Sequence, residues 1–156
     1  MEQKIKESVA HKGTLRIRLF GKDGNLKDER IIKNLMMNVG EAHIADQLAS
    51  APDESAMSHM AIGTGTTDPT SANTALAFEL DRNALTSRTQ GAGAADNDVI
   101  YVGDWAAADG TGAIAEAGIF NSSAAGIMLA RATFAVINKG ASDTLAITWT
   151  ITIGSS

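Results

Sequence analysis

The 156-residue chain contains no cysteine, few aromatic residues and no long hydrophobic run. The absence of cysteine excludes disulfide bonds, thiol nucleophiles and thiolate zinc sites. No apolar run approaches the roughly 20 residues of a membrane span, and the N-terminus lacks the apolar centre of a signal peptide. We therefore expect a soluble protein made in the cytoplasm, with no membrane partner. Its length is suited to one domain.

Aromatic residues make up only 4% of the sequence, whereas small residues such as glycine are common. Small side chains bury little apolar area, and burial stabilises a fold by about 25 cal/mol per Å². Contacts with neighbouring subunits would compensate for the small core. We therefore expect a homo-oligomer.

The net charge of −5 is unevenly distributed along the chain. Residues 1–33 hold nine basic and five acidic side chains, a net charge of +4, and residues 34–156 hold four and thirteen, a net charge of −9. One interpretation is a solvated N-terminus, and the other is an arm that docks on an acidic surface of another subunit. Residues 1–12 are predicted to be a flexible arm, because so short a helix is marginal in water. Residues 13–156 are predicted to form one β-rich domain.

The clearest strand signal lies in residues 144–153, T-L-A-I-T-W-T-I-T-I. Large apolar residues on one side of a period-two pattern alternate with threonine on the other, which predicts a half-buried β-strand. Residues 15–19 alternate in the same way, with arginine on the outer side. Asp23-Gly24 then predicts a hairpin turn and a returning strand.

The remaining pattern predicts a mainly β fold. From Val99 onward, strands recur with turn signals every 10 to 15 residues or so, which favours an antiparallel meander. One helix is predicted within residues 34–50, with Asn38 as N-cap and Glu41 in the capping-box position. Its apolar face would contain Val39, Ala42, Ala45, Leu48 and Ala49. The expected fold class is an antiparallel β-sandwich or small barrel with one short α-helix.

Catalytic signals are nearly absent from the sequence. His11, His43 and His59 are dispersed and have no metal-binding spacing. His43 lies just off the helix stripe, where a solvated or capping role is favoured. Gly63-Thr64-Gly65 lacks the lysine of a phosphate loop and is predicted to be a structural turn. We expect no enzymatic activity and no cofactor.

Other binding sites are weakly supported by the sequence. The loop Asp96 to Asp98 has hard oxygen ligands for calcium but lacks the EF-hand pattern, so an ordinary polar loop is favoured over a calcium site. The basic N-terminal residues have no interleaved aromatic side chains, and the acidic remainder would repel phosphate. We therefore expect no nucleic-acid partner.

Several segments together resemble small virion proteins of tailed bacteriophages. Each segment alone is a weak signal, but their order and spacing across residues 34–153 make the likeness specific. The segments are N-L-M-M-N-V-G-E-A-H-I-A-D-Q-L-A (34–49), M-A-I-G-T-G-T-T-D-P-T-S-A-N-T-A-L (60–76), E-A-G-I-F-N (116–121), M-L-A-R-A-T-F (128–134) and I-N-K-G-A-S-D-T-L-A-I-T-W-T-I (137–151).

The resemblance implies a non-enzymatic structural protein of the virion. The first hypothesis is a capsid decoration or cement protein that binds as a homo-oligomer, such as a trimer, between subunits of the major capsid protein. The alternative is a collar or tail-fibre attachment module that contacts neck or tail proteins. A third class, a sugar-binding module, is disfavoured because only Trp105, Trp149 and Tyr101 could stack on a sugar ring. The family has no catalytic residues, so the 62–65 turn and Arg131 would be features of the fold.

Two groups of residues are predicted to contact partner proteins. The first is the basic set of the arm and the first strand. The second is the threonine side of the closing strand. The candidates are Lys4, Lys6, Lys12, Arg16, Arg18, Thr148, Thr150 and Thr152.

Overall fold

The computed structural model describes residues 11–154, which fold into two five-stranded antiparallel sheets and one α-helix. The candidate residues Lys4 and Lys6, with most of the predicted arm, lie outside the described residues. The elements in chain order are β1 (Lys12–Phe20), β2 (Leu26–Lys33), β3 (Leu35–Met36), α1 (Asn38–Gln47), β4 (His59–Gly63), β5 (Glu79–Ala84), β6 (Ser87–Gln90), a 3-10 turn (Gly93–Ala95), β7 (Asp98–Trp105), β8 (Gly112–Phe120), β9 (Met128–Lys139) and β10 (Thr144–Thr152).

The strands divide between the sheets in an order that differs from their order in the chain. Sheet 1 has the order β2-β1-β10-β7-β6, and sheet 2 has the order β3-β9-β8-β4-β5. The mainly β, sandwich-like fold class is therefore confirmed. The predicted meander is wrong, because β7 pairs directly with β10 while the hairpin of β8 and β9 belongs to the other sheet.

The core lies between the two sheets. Alternation in β1 and β10 turns their large apolar side chains inward, among them Leu15, Ile17 and Trp149. Met60 and Ile119 approach from sheet 2 as part of the same cluster. The indole Nε1 of Trp149 donates a hydrogen bond to Asn34 Oδ1 at 2.8 Å, which satisfies its polar atom inside the core.

The helix forms where it was predicted, but it buries a different face. Met37, not Asn38, is the N-cap, and no side chain caps the helix. Gly40 and His43 are buried, whereas the predicted core residue Leu48 is 84% exposed. The reason is close packing on β9: a Cβ on Gly40 would lie 2.2 Å from the Leu129 carbonyl oxygen. The helix approaches the sheet through its glycine, and this approach turns the alanine and leucine stripe outward.

Residues 78–88 do not form one continuous strand. They form β5 and the beginning of β6, and these belong to different sheets. Lys12, predicted to end the arm, begins β1 and pairs with Thr152. No helix within residues 11–154 has the length and apolar character needed to span a bilayer.

Candidate interaction surface

Among residues 11–154, the outward side of sheet 1 is a broad and largely uncovered surface, which we call the threonine face. Its side chains alternate with the buried row of the core, so each is exposed or half-buried. Within the described residues, α1 packs on β9 and residues 64–78 pack over β8, so neither covers this face. The residues of the threonine face are Lys12, Thr14, Arg16, Arg18, Glu29, Ile31, Lys33, Ser87, Thr89, Asp98, Ile100, Val102, Asp104, Ala146, Thr148, Thr150 and Thr152.

The strand register brings the described candidate residues together on this one face. Lys12 is directly opposite Thr152, and Arg16 is opposite Thr148. Arg18 lies two residues further along β1, and Thr150 lies between the two paired threonines. Basic and threonine residues that are more than a hundred positions apart in the sequence therefore form one surface.

Positive charge is concentrated on the half of the threonine face formed by β1 and β2. Arg16 Nη2 and Arg18 Nε donate hydrogen bonds to the two carboxylate oxygens of Glu29, at 3.2 and 2.9 Å. The hydrogen bond from Arg16, followed by that from Arg18 and the charges of both, lowers the pKa of Glu29. With Lys12 and Lys33 added, this half has four basic side chains and one acidic side chain.

The opposite half, formed by β7 and β6, is acidic. Asp98 accepts a hydrogen bond from the Thr152 hydroxyl, and Asp104 accepts one at 2.6 Å from the Thr86 hydroxyl. Each of these bonds uses one carboxylate oxygen. The threonine face thus has opposite charges on its two sides, with β10 between them.

The middle of the threonine face is formed by small and uncharged side chains. Thr148, Thr150 and Ala146 come from β10, and Ile100 and Val102 from β7. On the β2 side, Ile31 is 68% exposed. An uncharged centre between charged margins is typical of a surface that binds another protein.

The outer face of sheet 2 differs, because residues 64–78 cover it and are held by a buried ion pair. Glu116 and Arg131 are 0% and 2% exposed, and Arg131 Nη2 lies 2.8 Å from Glu116 Oε2. The carboxylate of Glu116 also accepts hydrogen bonds from the backbone N–H groups of Gly65, Ala77 and Phe78, at 3.0, 3.0 and 2.7 Å.

The arginine of this pair anchors the same covering segment. Its guanidinium donates to Asn73 Oδ1 at 3.0 Å and to the Thr67 carbonyl at 2.9 Å. Burial alone would raise the pKa of Glu116, but hydrogen bonds from Phe78, Ala77 and Arg131 outweigh it, so the pKa is lowered. The Gly63-Thr64-Gly65 turn is therefore part of a structural network and contains no anion site of its own.

An apolar cavity of about 190 Å³ lies between the helix and the end of sheet 1. Ile44 lines it from α1 and Leu48 from the C-cap of that helix, and Tyr101 and Ile151 line it from the sheet. His43 also lines it and is only 4% exposed, so the prediction of a solvated or capping histidine is wrong. Burial lowers the pKa of His43, and its Nδ1 has no hydrogen-bond partner among the described residues.

The described residues give little support to the other candidate sites. Within residues 11–154, no group of three or more His, Asp or Glu side chains is placed to hold a metal ion. In the Asp96–Asp98 loop, Asn97 donates to the Ile153 carbonyl at 3.0 Å. Trp105, Trp149 and Tyr101 are all buried in the core, so none of their rings is available to stack on a sugar.

Comparison with known proteins identifies no family for this chain. No family model, curated protein or solved structure matches it. Its function must therefore be inferred from the surfaces described above and from the resemblance found in the sequence.

Proposed function

We propose that this chain is a non-enzymatic structural protein of a tailed-bacteriophage virion, most directly a capsid decoration or cement protein. The observation that supports a binding role is the threonine face, which is broad, uncovered within residues 11–154, and charged at its margins. The resemblance of residues 34–153 to small virion proteins supplies the virion context.

The covered face of sheet 2 suits a protein that must keep its shape on a particle surface. Without disulfide bonds, residues 64–78 are held by the Glu116–Arg131 pair and its backbone hydrogen bonds. A preorganised surface loses little conformational entropy on attachment. Modest contacts repeated at many sites on one particle would add up to a large stabilisation of the capsid.

Binding to undecorated phage heads tests the decoration role. Purified protein should bind the heads and raise their resistance to heat and osmotic shock. Thr148→Arg, which places a bulky charge at the centre of the threonine face, should reduce binding. Thr66→Arg provides a matched control, because Thr66 is exposed in the segment over sheet 2. Failure of the unmodified protein to bind heads would contradict the decoration role.

Copy number separates this role from the collar or tail-fibre alternative. Quantitative mass spectrometry of intact virions should find hundreds of copies for a decoration protein and only a few for a neck or tail module. Detection of a few copies, together with labelling at the neck or tail, would replace the first proposal with the second.

A further inference from the structure

The two halves of the threonine face carry charges of opposite sign, and β10 separates them at the centre of sheet 1. We propose that this face binds the same face of a second copy of the chain, in a twofold dimer whose axis runs along β10. The inference does not rest on the proposed virion role, because it follows from the register and charge of this sheet alone. One face cannot hold a second copy and a capsid protein at the same time, so attachment to a head through this face requires the dimer to dissociate.

The position of β10 determines which strands would meet. An axis parallel to β10 exchanges the two sides of the sheet and preserves position along the strands. In the order β2-β1-β10-β7-β6, β1 then faces β7 of the second copy, and β2 faces β6. The threonine row of β10 meets itself at the axis, where hydroxyl groups can both donate and accept hydrogen bonds.

The register then places opposite charges over one another at both ends of the face. Lys12 and Asp98 both pair with Thr152, so they lie at the same position along the strands. Lys12 therefore faces Asp98 of the second copy. Arg18 and Asp104 both pair with Ala146, so Arg18 faces Asp104 of the second copy in the same way. The twofold axis repeats both pairs, which gives four opposite-charge contacts at the margins of the interface.

The other way to stack two copies of this face is disfavoured by the same charges. A twofold axis lying in the interface and perpendicular to the strands would place β1 over β1 and β7 over β7. Lysine and arginine would then meet lysine and arginine, and aspartate would meet aspartate. Like-charge contacts disfavour an interface, so the charge pattern selects the axis along β10.

The size of the face is close to that of a stable protein interface. Four strands of about eight residues and the four residues of β6, at about 4.8 Å between strands and 3.4 Å per residue along them, cover roughly 590 Å². A standard interface buries about 800 Å² on each partner. Ile31 would be covered by the partner's β6, and Arg16 would keep its hydrogen bond to Glu29. Stacked sheets pack about 10 Å apart, and small central side chains allow such an approach.

Charge reversal on the full-length chain tests the proposal. Analytical ultracentrifugation of the unaltered protein should show a dimer that weakens with added salt. The double variants Lys12→Asp with Arg18→Asp, and Asp98→Lys with Asp104→Lys, should each weaken self-association by about tenfold or more, because all four contacts become repulsive. An equimolar mixture of the two variants should form a heterodimer, because every contact between them is again attractive.

Cross-linking provides a second measurement that identifies the axis. The chain has no cysteine, so single introduced cysteines can be labelled cleanly. Thr14 on β1 and Ile100 on β7 both pair with Thr150, so each would face the other across the dimer interface. A bis-maleimide spanning about 10 Å, the spacing of stacked sheets, should join Thr14→Cys to Ile100→Cys in a mixture. It should join neither variant efficiently to itself.

Several results would overturn the dimer. These are a monomer at all concentrations, failure of the charge-reversed variants to associate when mixed, and efficient cross-linking of Thr14→Cys to itself. Circular dichroism of each variant separates loss of association from loss of folding. Since the measurements are made without phage heads, a monomer that still stabilises heads would overturn the dimer and leave the proposed function intact.

Discussion

The two outer faces of this sandwich each carry an arginine–glutamate pair, but the pairs have opposite environments. On sheet 1, Arg16 and Arg18 bind Glu29 in contact with solvent, and no element within residues 11–154 covers them. On sheet 2, Arg131 binds Glu116 beneath residues 64–78, with almost no exposure. Within the described residues, one face therefore holds part of its own chain, and the other is left uncovered.

Removal of the glutamate from each pair should give the largest difference in stability between the two faces. Glu116→Ala leaves Arg131 buried without its counter-charge and leaves three backbone N–H groups unsatisfied, and loss of one member of a buried pair costs about 3–5 kcal/mol. Chemical denaturation should show this fall in the free energy of unfolding. Glu29→Ala is the matched control, and it should leave the unfolding curve unchanged within error. Equal losses for both variants would contradict the distinction between the faces.

Enlarging one small side chain on each face should give the next largest difference in stability. A Cβ on Gly65 would lie 2.4 Å from Glu116 Oε1 and 2.6 Å from the Ala77 Cβ, so the covering segment would have to move. Overpacking of this kind costs about 1–3 kcal/mol, which we expect for Gly65→Ala in the same denaturation experiment. Ala146→Val, which enlarges a side chain on the open face of sheet 1, should be tolerated. A stable Gly65→Ala variant would show that the covering segment is loosely held.

The pH dependence of stability should report the buried carboxylate. The pKa of Glu116 is lowered in the folded protein from its usual value of 4.5. The unfolded chain therefore takes up the proton first, and the stabilisation is present above about pH 4.5 and is lost as pH falls through the folded pKa. Denaturation at a series of pH values should show a steeper acid loss for the unaltered protein than for Glu116→Gln. Identical slopes would contradict this assignment.

His43 should contribute a smaller effect in a different pH range. Burial lowers its pKa from the usual 6.5, so the unfolded chain binds a proton that the folded chain excludes. Stability is therefore lost as pH falls from about 6.5 toward the folded pKa of His43. His43→Leu, which fits the apolar cavity, should flatten the stability profile in this range. A profile that His43→Leu leaves unchanged would contradict this assignment.

Local patterns in the sequence predicted much of sheet 1 but little of the contact between distant segments. Alternation identified β1 and β10 and correctly placed Thr148 and Arg16 on the side away from the core. It did not reveal that these two residues are neighbours, because their pairing depends on a register between the two ends of the chain. The acidic half of the face was missed for the same reason, since β7 was assigned to a meander.

The network on sheet 2 was missed although a local signal was present. Glu116 is a charged residue within a strand whose other residues are mostly small or apolar, and such a residue needs a buried partner. The partner and the three backbone donors come from separate segments, so periodicity alone cannot identify them. The helix face was wrong because the close contact at Gly40 with β9 outweighed the apolar stripe.

The central position of β10 also governs when the protein can fold. β10 is the last strand of the chain, yet it lies between β1 and β7 and is paired with both. Sheet 1 therefore cannot close until β10 has left the ribosome, and until then β1 has an unpaired edge. Such long-range pairing slows folding and exposes strand edges to neighbouring chains. Half of the sandwich is thus completed only once β10 has emerged, and loss of residues 144–152 would remove the strand on which that half depends.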